Sequence, residues 1–179
     1  MKKLLTGLAI GLCGLLTACF VSEKHFIAEG DVVTLPEGKV SFCSNKDECA
    51  EADPQEDGSY LLIPPPEEDD PPMPVRLALL TQNDLGQIWL AEFEMTEDNE
   101  TLYVTGVVRR ASEFDGDLPA YEVALPDCSE VTEEEAATYG INKIDKGTCA
   151  LPTETSIADY LTGGFADRLN DPQWWEDND

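Results

Sequence analysis

The chain has 179 residues, and its 37 acidic side chains against 11 basic ones give a formal charge of -26. Such a surface repels nucleic-acid phosphate and anionic lipid head groups, which excludes nucleic-acid binding and attachment through a basic patch. A single histidine, His25, leaves little room for chemistry that relies on imidazole as base or ligand.

The chain opens with Met1-Lys2-Lys3, followed by an uncharged apolar run from Leu4 to Ala18. That run is shorter than the roughly 20 residues that cross a bilayer core. A positive head and a short apolar core are the pattern of a secretory signal peptide. The run stops at Leu16-Thr17-Ala18-Cys19, which resembles the lipobox of bacterial lipoproteins. The resemblance covers the first 19 residues. It implies acylation of the Cys19 thiol, cleavage before Cys19 and attachment to the lipid bilayer. Two or more acyl chains anchor stably where one does not. Phe20, not Asp, follows the cysteine, which implies the outer membrane, with the domain facing the periplasm. Residues 1–18 are then the signal peptide, 19–30 the acylated cysteine and a tether that includes His25, 31–172 one domain, and 173–179 a tail.

Four further cysteines, Cys43, Cys49, Cys128 and Cys149, form an even set, as expected of disulfides in an exported chain. Three pairings are open. Cys43–Cys49 with Cys128–Cys149 is preferred because both closures are local. Their spacing lacks the close CxxC pairs of a structural zinc site.

Asp31–Leu35 and Lys39–Cys43 flank Pro36-Glu37-Gly38 and read as a hairpin. Residues 44–58 read as a polar loop pinned by the first disulfide, and Ser59–Ile63 as a strand. Residues 64–74, with six prolines, read as a stiff acidic loop. Four β-rich runs follow, at 75–80, 87–93, 101–110 and 120–125, separated by turns. They predict an antiparallel meander. Thr132 with Glu135 forms a capping box and Gly140 a stop, which predicts a short helix. Ile157, Leu161, Phe165 and Leu169 recur every four residues and predict a C-terminal amphipathic helix, weakened at Gly163-Gly164. The predicted class is α+β: an antiparallel sheet with a short helix and a C-terminal helix covering one face.

Candidate sites are sparse, and no catalytic residue stands out. Glu92 and Glu94 alternate with apolar residues and read as the solvent face of a strand. Arg109 and Arg110 read as salt-bridged to the acidic surface. Asp53 and Asp57, and Asp115 and Asp117, lie in turn sequences whose clustered oxygens suit calcium, the one cofactor these residues suggest. The EF-hand pattern fails at the first of these stretches, with Gln55 and Pro64 at ligand positions. Trp174 and Trp175 are candidate anchors for a partner, or else fold back onto the core. The expected role is non-enzymatic: binding or bracing a protein partner in the cell envelope. The alternatives are a carboxylate-based polysaccharide-active enzyme and a calcium-dependent adhesion module.

Overall fold

The structure is a computed structural model that describes residues 20–45, 48–64, 71–97, 100–112, 116–145, 147–151 and 154–178, without the side chains of 97 and 154–156. Cys19 and the signal region lie outside the described residues, as does Asp115.

Ten strands are present among the described residues: β1 (Phe20–Ser22), β2 (Val40–Asn45), β3 (Glu48–Pro54), β4 (Tyr60–Ile63), β5 (Met73–Asn83), β6 (Gly86–Glu97), β7 (Glu100–Arg110), β8 (Ala120–Ala124), β9 (Asn142–Lys143) and β10 (Cys149–Ala150). The run from β5 to β8, antiparallel throughout, is the predicted meander. The pairing goes further: β8 pairs with β2, β2 with β3, β3 with β4, and β4 with β5. Seven strands therefore close into a ring. Strand directions cannot alternate all the way round an odd ring, so at least one pair must run parallel. That pair is β2–β8, with Phe42 opposite Tyr121.

A buried apolar cluster draws at least one residue from each of the seven strands, including Phe42, Ala52, Tyr60, Leu77, Phe93, Val108 and Tyr121, and so fills the inside of the ring. Aromatic rings meet edge-on there, as Phe42 does with Tyr60 at 5.7 Å and Trp89 with Tyr121 at 5.6 Å. Gly106 belongs to this interior. A Cβ on it would come within 2.7 Å of the Phe93 ring, so only glycine lets the two strands and the ring coexist.

A second cluster lies on the outer face of β6, β7 and β8 at Ile88, Leu90, Val107 and Ala124. Helices α1 (Glu133–Tyr139), α2 (Glu154–Thr162), α3 (Ala166–Leu169) and α4 (Pro172–Asp177) supply its cover. The capping box and the left-handed Gly140 of α1 form as predicted. The predicted single C-terminal helix does not. It breaks between α2 and α3 at Gly163–Phe165, although Ile157, Leu161, Phe165 and Leu169 are all buried as one stripe. Glycine weakens a helix, and close packing requires one here: a Cβ on Gly163 would sit 2.4 Å from the Tyr139 hydroxyl of α1. The segment read as a tail is α4, capped by Asp171 and led by Pro172.

Two further readings need correction. Residues 20–30 are no tether. Phe20 is fully buried, with β1 held between β7 and β10, and Phe26 and Ile27 enter the outer core. Residues 48–54 are a strand, where the sequence suggests a loop. Both preferred disulfides are present. Cys43 and Cys49 are directly cross-strand, with Cα atoms 4.0 Å apart, and Cys128–Cys149 ties the turn before α1 to β10. In the loop-entropy account these closures stabilise by about 2.5 and 3.5 kcal/mol.

Candidate functional site

The helices stop short of one stretch of the outer face. Register puts two rows of side chains there across β5, β6 and β7: Arg76–Glu92–Thr105, then Pro74–Glu94–Tyr103. The chain leaving β1 crosses this stretch and covers part of it. His25, Asp57, Ser59, Pro74, Arg76, Glu92 and Glu94 line a recess of about 110 Å³.

Glu92 is its centre, and it is not a solvent-facing residue: it is 1% exposed. One carboxylate oxygen accepts from His25 Nδ1 at 2.6 Å, and the other accepts the backbone N–H groups of Phe26 (2.6 Å) and Ile27 (3.0 Å). Three donors therefore hold one buried carboxylate, as a buried charge requires. The His25 ring packs against Tyr103, with centroids 4.2 Å apart. Burial raises the Tyr103 hydroxyl above its ordinary range, and the charges of Glu94 and Glu92 add to this while Arg76 opposes it. The Thr105 hydroxyl, opposite Glu92 in register, is buried and has no hydrogen-bond partner among the described residues.

On the far side of the recess the Ser59 hydroxyl donates to Asp57 at 2.6 Å. That hydroxyl, and then the Ser59 N–H, hold the Asp57 carboxyl below its ordinary range; burial opposes them and the Arg76 charge assists. Arg76 forms no ion pair with a described residue.

The recess thus gathers a serine, a histidine and two glutamates without wiring them for nucleophilic attack. A serine mechanism needs the hydroxyl hydrogen-bonded to the imidazole. Here the Ser59 hydroxyl is given to Asp57, and the imidazole is oriented by Glu92 toward a different task. The arrangement fixes the chain from 25 to 27 on the sheet and leaves Arg76 and Glu94 as polar groups at the rim.

The other sequence candidates are dispersed. Asp53 pairs with Lys39 at 3.3 Å, Asp57 caps its own turn, and Asp117 is exposed. Among the described residues no group of three or more His, Cys, Asp or Glu is placed to hold a metal ion. Trp175 is buried, with its indole N–H on the Leu169 carbonyl and Arg109 stacked 4.5 Å from the ring, so it serves the core and is no exposed anchor. Trp174 is half-buried against Phe165. Arg109 and Arg110 pair with Glu122 and Glu37, as the sequence suggests. No helix among the described residues is long and apolar enough to cross a membrane.

Comparison with protein-family models, with curated proteins and with solved structures finds no match to this chain.

Proposed function

We propose that this chain is a lipid-anchored protein of the bacterial cell envelope. It is acylated at Cys19 and held at the outer membrane, with its β-ring domain in the periplasm, and it binds or braces a protein partner there without catalysing a reaction. The observation that carries the reading is the position of Phe20. The residue next to Cys19 is already a fully buried member of the sheet, so cleavage before Cys19 removes nothing from the described fold. The acidic surface supports a binding role, because a strong single-sign field steers an oppositely charged partner and discriminates against others.

Carboxyl-reactive crosslinking in intact envelopes, followed by mass spectrometry, tests the binding role. It should return a reproducible protein neighbour that is lost when the domain is unfolded by reduction and denaturant. Recovery of nothing beyond the most abundant envelope proteins would count against it.

A further inference from the structure

The chain has four arginines. Arg109, Arg110 and Arg168 each pair with a glutamate, whereas Arg76 pairs with no described residue although carboxylates surround it in the recess. The commitments of those carboxylates explain this. Both oxygens of Glu92, its register partner, are taken by His25 and by the N–H groups of Phe26 and Ile27. Oδ1 of Asp57 accepts both the N–H and the hydroxyl of Ser59. The Arg76 guanidinium is therefore half-buried at the recess with its donors given to no carboxylate among the described residues.

Two acceptors lie beside it. Glu94 is on the diagonal from Arg76 across β5 and β6, with about 7–8 Å between Cβ atoms, and it forms no ion pair with a described residue. Oδ2 of Asp57 takes neither of the Ser59 donors. The recess thus offers one planar guanidinium to a carboxylate and two carboxylates to cations. The His25 ring, fixed by Glu92 and packed on Tyr103, forms its wall. The volume of about 110 Å³ is below the roughly 300 Å³ of a drug-sized pocket, so the ligand is small. Three carboxylates around one guanidinium, on a chain of charge -26, repel a net anion. A small molecule with one carboxylate and two cationic amines meets all of these conditions.

We propose that the recess binds a basic α-amino acid. Its carboxylate lies on Arg76, and its two cations lie on Glu94 and Asp57. Binding requires nothing of Cys19, so the site is independent of the lipid anchor.

The test is calorimetric titration of the full chain, purified in detergent with both disulfides intact. A salt concentration of about 0.15 M screens diffuse attraction to the acidic surface. L-lysine is compared with cadaverine, which keeps both cations and lacks the carboxylate, and with L-glutamate. Lysine should bind at least about tenfold more tightly than cadaverine, because cadaverine leaves the guanidinium without its charged partner, and glutamate should not bind. Arg76→Gln, shown to be folded by its thermal unfolding, should bring lysine down to the affinity of cadaverine and should not weaken cadaverine. Equal affinities for lysine and cadaverine in the wild type would mean attraction to the acidic surface only and would overturn the proposal. So would the absence of saturable lysine binding up to about 10 mM, whatever the variant does.

Discussion

Glu92 shows how one residue organises its surroundings. A carboxylate in a buried position costs several kcal/mol unless donors meet it, and here three do. Removing it reverses the problem, because the N–H groups of Phe26 and Ile27 and the His25 Nδ1–H lose their acceptor together. Glu92→Ala is expected to lower unfolding stability by about 3 kcal/mol, since each buried unmet donor costs about 1–3 kcal/mol. Urea titration of the variant measures it. A loss below about 0.5 kcal/mol, the size typical of exposed substitutions, would refute the role given to this residue. The sequence held a signal for Glu92 that a simple alternation rule misreads. Ile88 and Leu90 share its parity, while Trp89 and Ala91 take the other, so the strand is apolar on both faces at 88–91. A strand covered on both sides reads as a continuous run, and Glu92 extends its covered outer face. His25 was harder to place, because nothing near it in sequence announces a contact 67 positions away.

Among the elements, α1 is the one whose ends are best explained by its own residues. Thr132 accepts from the Glu135 N–H, and Glu135 reaches back to the Thr132 N–H and hydroxyl. The Thr132 N–H, followed by its hydroxyl, holds the Glu135 carboxyl below its ordinary range against a smaller opposing effect of burial. A carboxyl lowered by folding stabilises above its unfolded pKa, near 4.3 for Glu, and that stabilisation is lost as pH falls through the folded value. Glu135→Gln keeps the shape of the cap and removes the charge. The wild type should therefore be more stable by about 0.5 kcal/mol at pH 7, from the charge at the helix start, with the gap closing below about pH 4. Denaturation at the two pH values reads the difference directly, and a gap that persists in acid would show that the charge is not its source. Local signals of this kind were legible: the capping box, the four strands of the meander and both disulfides follow from neighbouring residues. The break between α2 and α3 was half legible. Gly163-Gly164 marks the place, but what demands a glycine at 163 is Tyr139, which arrives from another helix.

At the scale of the molecule, β7 joins the parts. One edge pairs with β6 along its length, and the other serves β1 near Val104 and β8 from Val107. The ring is thereby coupled to the short β1–β10–β9 branch that begins at Phe20. Closure of the ring was not legible, because β2 and β8 are about 80 residues apart and parallel partners leave no turn between them to find. The apolar stripe at 157–169 revealed that a helical layer covers something; it did not reveal that the something is the outside of a ring.

The central claim is that this domain is fastened to lipid at the residue before its first buried strand. The direct test is the mass of the N-terminal tryptic peptide of the protein extracted from membranes. The account predicts a peptide from Cys19 to Lys24 carrying diacylglycerol on sulfur, with or without a further acyl group on the new amino terminus. A peptide that begins elsewhere, or an unmodified Cys19, would contradict it.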